Sequence, residues 1–193
     1  AESGEQAYEA PTPIGPVKMV NLIATIPGAR PERIALATHY ETKLSREFRF
    51  VGASDPAASV AAVLELGRAL ARRKNPFTIE LLFFDGEEAI NWDWRDPDNT
   101  YGSRHYVQAA QKAGTLGGLK ALILLDLVGD RDLNIRREGH STRWLVDEVW
   151  GAAKELGYSS FFVPQEAGPI SDDHVPFVRA GVAPVVITDL DYR

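Results

Sequence analysis

The stretch TIELLFFDGEEAINW, Thr78 to Trp92, decides the fold. Ile79 and Leu81 to Phe84 make a nearly continuous apolar run rather than an alternating one. Such a run fits a strand buried on both faces, as in a parallel sheet with helices above and below. The run stops at Asp85 and Gly86, and two carboxylates follow side by side, Glu87 and Glu88. Adjacent like charges repel, so the end of a buried strand is a costly place for them. The cost implies that something at that end uses them.

Working outward, VKMVNLIATI (17–26) and RIALATHY (33–40) read as neighbouring strands or a hairpin. LKALILLDLVG (119–129) reads as a second buried strand, and SSFFVP (159–164) and APVVITD (183–189) as shorter ones. Between them lie helical patterns. PAASVAAVLELGRALARRK (56–74) closes on basic residues that suit the helix dipole, GSRHYVQAAQKAG (102–114) ends at Gly114, and STRWLVDEVWGAAKELG (141–157) opens on a Ser or Thr cap. DDHVPFVRAG (172–181) is a short last helix. Strands alternating with helices predict an α/β fold: a mixed, mostly parallel central sheet of about six strands, helices on both faces, and an antiparallel edge from the first hairpin. Residues 1–16, rich in Pro, Gly and polar side chains, read as an extended N-terminal arm ahead of one α/β domain over 17–193.

The chain has 193 residues, a net charge of −6 and no cysteine. An acidic chain is a poor match for nucleic acid, which needs a basic face. No apolar run approaches the roughly 20 residues of a membrane span. Without cysteine, a metal site must be built from His, Asp and Glu.

In parallel sheets, ligands bind at the carboxyl ends of the strands. That rule gathers His39, Asp85, Glu87, Glu88, Asp126, Asp189 and Asp191 on one rim, with Asp55 at the start of the helix after the His39 strand. Singly, each has a plain reading: a solvated Glu-Glu loop, Asp55 as a helix N-cap, Asp126 as a turn residue, His39 as a satisfied polar group. Jointly, clustered carboxylates persist when a cation neutralises them or when some hold protons. An Asp/Glu/His set suits zinc with an open position. Adjacent glutamates on a turn project in different directions, so one can ligate while the other acts as acid or base. His105 and His140 read as packing and surface residues.

Taken in order, LATHY, FVGASDPAASVAAVLELGRAL, LLFFDGEEAINW, DNTYGSRHY, LILLDLVGD and ISDDHVPFVRAGV resemble the zinc-dependent, animal-type glutaminyl-peptide cyclotransferases. These share a zinc-exopeptidase-like α/β fold with bacterial zinc aminopeptidases. The resemblance covers roughly residues 17–189. It implies conversion of an N-terminal Gln of a peptide to pyroglutamate with release of ammonia, assisted by one bound zinc ion. Carried over residue by residue, it implies Asp55 and Glu88 as zinc ligands and Glu87 as the general acid/base. It implies Asp126 as the group that binds the leaving nitrogen and Asp172 as the partner hydrogen-bonded to Asp126. Trp92 or Trp94 would be a pocket wall. The chain departs from the pattern in three places. The family's third ligand, a histidine in a Trp-His pair, is expected beyond Arg193, so the domain is expected to be incomplete at both ends. Glu41 stands where the family has Asp, and Ser171, at a substrate-binding position, stands where it has Gln. The resemblance also implies a secreted or periplasmic monomer.

The other reading is a zinc aminopeptidase with two metals, the second held by His39, Asp55 and Asp126 while Glu87 activates a water. A third is an inactive binding protein on the same scaffold. Without the outlying histidine, a nearby group such as His39 is expected to stand in, His174 to face the packing, and the Asp126–Asp172 pair to hold a proton.

Overall fold

A computed structural model of the chain describes residues 2–191. The apolar run forms strand β4 (Phe77–Phe84), with Leu82 and Phe84 wholly buried. On one side of β4 lies β3 (Arg30–His39), parallel to it; on the other lies β2 (Gly15–Ile26), antiparallel. β5 (Leu119–Asp126) pairs parallel to β3, and β8 (Ala183–Thr188) parallel to β5. With β1 (Glu2–Thr12) on the far edge, the six-stranded order is β1-β2-β4-β3-β5-β8. The expected α/β architecture is therefore present.

Both faces of β4 are covered, which explains the nearly continuous apolar run. Ala35, Ala37, Leu82, Phe84, Leu122 and Leu124 pack against Tyr106 and Val107 of α2 (Tyr101–Lys112) and Phe177 of α4 (Val175–Arg179). Leu36, Leu81 and Phe83 face Val63 of α1 (Ser59–Leu70) on the opposite side. Ala121 and Val185 face Leu145, Val146 and Trp150 of α3 (Arg143–Glu155) on that same side. Each Leu, Val or Phe among them contributes about 1.5–3 kcal/mol on burial. Glu80, the one charged residue in β4, accepts from Tyr106 Oη at 2.6 Å and lies 3.4 Å from Arg33 Nε.

Four expectations change. The segment 1–16 is no free arm, because Glu2–Thr12 pairs with β2 from Glu2↔Thr25 to Thr12↔Gly15. The turn is closed by Thr12 Oγ1, which donates to the Gly15 carbonyl at 2.6 Å. β2 does not neighbour β3, since β4 lies between them. The SSFFVP segment leaves the main sheet: β7 (Phe162–Glu166) pairs with the three-residue β6 (Ile135–Arg137). At α3, neither Ser141 nor Thr142 caps through its side chain. Ser141 Oγ instead donates to Glu138 and accepts the Val186 N–H.

Candidate active site

The four parallel strands end on one rim, and the chain reversal after β4 builds its centre. Gly86 turns with φ +78°, where a Cβ would meet Met19 Sδ at 2.6 Å. α2 begins against the same turn. Tyr101 N–H donates to Gly86 O at 2.7 Å, and Gly102 lies so close to Asp85 that a Cβ would meet its carbonyl oxygen at 2.6 Å. Thr100 N–H closes onto Glu87 O at 2.8 Å. The turn sends the adjacent carboxylates apart. Glu87 is buried, with Oε2 3.8 Å from His39 Nδ1, whereas Glu88 is half-buried, with Oε2 3.7 Å from Lys43 Nζ. This separation is how the chain tolerates the Glu-Glu pair.

His39, at the end of β3, is the hub. Its Nε2 lies 2.9 Å from Asp55 Oδ1 and 3.3 Å from Asp126 Oδ1, and its Nδ1 lies 3.1 Å from the Glu41 carbonyl oxygen. Burial pulls its pKa down, but Asp126, Asp55 and Glu41 outweigh that and raise it well above the usual value. Asp55 is not an N-cap, since no side chain caps α1. It has extended backbone (φ −127°, ψ 97°) in the turn before α1, and this points its carboxylate at His39. Asp126 Oδ1 also accepts the N–H of Leu127, whose φ of 50° is unusual for a bulky residue.

Burial, set against the nearby His39 charge and reinforced by Asp172, Asp173 and Asp126, raises Glu87 well above the carboxylate range. Burial first, then Asp126 and Asp173, raise Asp172 in the same way. Burial lifts Asp173 to about 7, against a 2.5 Å hydrogen bond from Ser103 Oγ. Burial and then Asp55 lift Glu88 to about 7, opposed by Lys43 and His39. Glu41 moves the other way: burial would raise it, but His39 and the Glu88 N–H lower it. No direct hydrogen bond joins Asp126 and Asp172. Asp172 Oδ1 accepts the Asp173 N–H at 2.5 Å, and its buried Oδ2 has no partner.

The donor set fits a metal ion. Ligand atoms of His39, Asp55 and Asp126 lie within 4.8 Å of one another, as do those of His39, Glu41 and Glu87. Asp55 Oδ1 is buried without a well-aligned hydrogen bond, as expected of an oxygen shaped for a cation. Glu88 stands outside both groups, although Asp55 is the charge that most raises it. Trp92 and Trp94 stand on the outer wall of the same turn, and Ser171 is exposed just before Asp172.

Other rim residues are turned to structural tasks. Asp85 Oδ2 accepts the Val20 N–H at 2.8 Å, tying β4 to β2. Asp189 accepts the N–H groups of Asn134 and Asp191, and Asp191 pairs with Arg136. His105 stacks on Tyr8 with centroids 4.2 Å apart, and His140 is exposed. His174 is wholly buried beside Glu138, as the packing expectation has it. The sequence reading passed over Lys43, Asp173 and Glu138. Only the doubled Asp of the DDH motif signalled Asp173.

The comparisons with known proteins agree with this geometry. The chain is 32% identical over 208 residues to the glutaminyl-peptide cyclotransferase-like protein of Bos taurus, with 91% of this chain and 52% of that protein covered. The crystal structure of an Acidobacteriales bacterium glutaminyl cyclase superposes with a TM-score of 0.92 at 41% identity, covering 98% of this chain and 65% of that one. A leucine aminopeptidase precursor from Bacteroides thetaiotaomicron shares the fold, with a TM-score of 0.88 at 24% identity over all of this chain and 72% of that one. The chain spans about half the length of the curated relatives it matches. The sequence profile of Peptidase family M28 matches residues 21–193. A match over that much of the chain, on a sheet whose rim holds a carboxylate–histidine cluster, establishes that the chain belongs to peptidase family M28.

Proposed function

We propose that the protein is a glutaminyl-peptide cyclotransferase: it closes the N-terminal Gln of a peptide to pyroglutamate and releases ammonia. The observation that carries this reading is Glu87, buried among Asp126, Asp172 and His39 with its pKa driven upward. A carboxyl whose burial and like-charged neighbours raise its proton affinity is suited to take up a proton and return it, as a general acid/base must. The substrate α-amine nitrogen forms the new bond to the carbonyl carbon of its own γ-carboxamide, and the C–N bond of that carboxamide breaks. Glu87 takes one proton from the attacking amine and delivers it to the departing nitrogen, which leaves as ammonia. Asp126, beside Asp172, holds that nitrogen. Trp92 and Trp94 wall the pocket and favour the folded-back substrate conformation, a proximity effect. Ser171 lies at the substrate-facing lip.

Asp55 and Glu88 would hold zinc together with a histidine outside the described residues, and His39 is the stand-in. When bound, zinc supplies a Lewis acid for the γ-carbonyl oxygen. A secreted or periplasmic monomer belongs to the same reading. Among the described residues no helix is long and apolar enough to cross a membrane.

The test is ammonia release from Gln-peptides by the full-length protein with zinc. Release of amines from aminoacyl anilides without ammonia would overturn the reading. One observation favours a peptidase instead: the compact His39–Asp55–Asp126 group, suited to a second metal. Metal analysis separates the two, since one zinc per chain accords with the cyclase and two accord with the aminopeptidase.

A further inference from the structure

Lys43 lies in a long segment after β3 that also carries Arg46 and Arg49. Those two cations are exposed, whereas the Lys43 side chain is only 13% exposed. Its ammonium donates to the carbonyl oxygens of Ala89 and Asn91, the latter at 2.9 Å, and lies 3.7 Å from Glu88 Oε2. It also lies 5.8 Å from the Trp92 ring and 5.9 Å from the Trp94 ring. Two of the three ammonium donors go to these carbonyls, and the charge faces Glu88 and the two rings.

The turn it touches is clamped from the other side by an anion. Asp98 Oδ1 accepts the Ile90 N–H at 3.0 Å and Oδ2 the Asn91 N–H at 2.9 Å, with Tyr101 Oη on Oδ1 at 2.8 Å. The donors of residues 90–91 are thus held by Asp98, and the acceptors of residues 89 and 91 by Lys43. Trp92 and Trp94 follow directly, 69% and 36% exposed. Rings so exposed are not fixed by a core. A cation within 6 Å of both is the contact that they share.

We propose that Lys43 is a positioning residue of the site, fastening the 89–94 turn and its two tryptophans to the Glu88 carboxylate, so that pocket wall and ligand are set in one geometry. The proposal rests on the cyclase reading for its effect on substrate, and on the geometry alone for its effect on the turn.

The test compares Lys43→Met, which keeps length and loses charge, with Lys43→Arg in the full-length protein. Lys43→Met is expected to raise KM for Gln-peptides roughly tenfold while kcat moves less, the pattern of lost positioning rather than of a lost reacting group. In a Trp144→Phe background, acrylamide quenching of tryptophan fluorescence should rise in Lys43→Met and return toward the parent value in Lys43→Arg. Unchanged KM and unchanged quenching in Lys43→Met would overturn the proposal, as would a fall in kcat alone. If the parent protein releases no ammonia, the cyclase reading fails, and the quenching series still decides what Lys43 does to the turn.

Discussion

Glu87 and Glu138 are both buried carboxylates, and the fold treats them in opposite ways. Glu138 accepts the N–H groups of His140, Ser141 and Ile170 at 2.8–3.0 Å, along with the Ser141 hydroxyl, and faces His174 Nε2 at 3.4 Å. Burial alone would raise its pKa, but these donors, led by His174, drive it down to about 2. Glu87 meets burial and three like charges, with only His39 opposing. The difference teaches that burial does not mark a reacting group; burial without donors does. One carboxylate ties loops together, and the other is left without donors, as the proposed acid/base role requires.

Replacing each residue tests the contrast where it is largest. Glu87→Gln keeps shape and should cost about 10²–10⁴ in ammonia release. Its melting temperature should hold or rise, because a neutral amide ends the repulsion from Asp172 and Asp173. A substantial fall in melting temperature would place Glu87 with the structural carboxylates. Glu138→Ala should do the reverse. Buried N–H groups left unpaired cost about 1–3 kcal/mol each where water cannot reach them, so a loss near 3 kcal/mol in urea denaturation is expected, with kcat per folded molecule little changed.

Acid sharpens the contrast. Glu138 has a folded pKa of about 2 against an unfolded value of 4.5. Its ionised form therefore stabilises the fold above pH 4.5, and that contribution, about 3 kcal/mol, is lost as pH falls from 4.5 toward 2. The stability gap between wild type and Glu138→Gln should shrink over that window. Glu88 carries the opposite sign. Its folded pKa of about 7 lies above 4.5, so its contribution is present below pH 4.5 and is lost as pH rises through 7. A cation reverses this by engaging the ionised form. Zinc at a hundredfold over its dissociation constant should stabilise by about 2.7 kcal/mol, and the thermal shift should be larger at pH 8 than at pH 5. An equal shift at both pH values would remove Glu88 from the ligand set.

The parts of this molecule legible in the sequence were those where one signal dominated. β3, β4 and β5 carry apolar runs that lead into His39, Asp85 and Asp126, and two covered faces are the cause of the runs. β1 was misread because Glu2, Gly4, Glu5, Glu9 and Pro11 look like an arm. Its inward-facing set of Gln6, Tyr8 and Ala10 alternates with period 2, and that alternation was the available signal. β6 is three residues long, two of them arginine, too short for any periodicity. At the site, residue types and chain order pointed to Asp55, Glu87, Glu88 and Asp126. The roles of Lys43 and Glu138 depend on backbone carbonyls and N–H groups brought in by loops, which side-chain identity does not encode.

The smallest expected effect concerns Glu41, where the resembled family has Asp. Glu41 Oε1 accepts the Glu88 N–H at 2.9 Å, and Oε2 is buried 3.8 Å from His39 Nδ1 without a hydrogen bond. It thus stands between the two kinds of carboxylate: one oxygen is donor-satisfied like those of Glu138, and the other faces the charged hub like Glu87. Its pKa is lowered, which puts it on the structural side. Glu41→Asp shortens the reach by one methylene and stretches a single hydrogen bond. A loss of about 1 kcal/mol follows, read as a drop of about 2–4 °C in melting temperature. Ammonia release should fall less than about fivefold, since Glu88 keeps its place through Lys43 and the turn beyond it. A loss approaching that of Glu87→Gln, with the melting temperature unchanged, would show that Glu41 exchanges protons with the substrate and that a lowered pKa does not separate the two kinds.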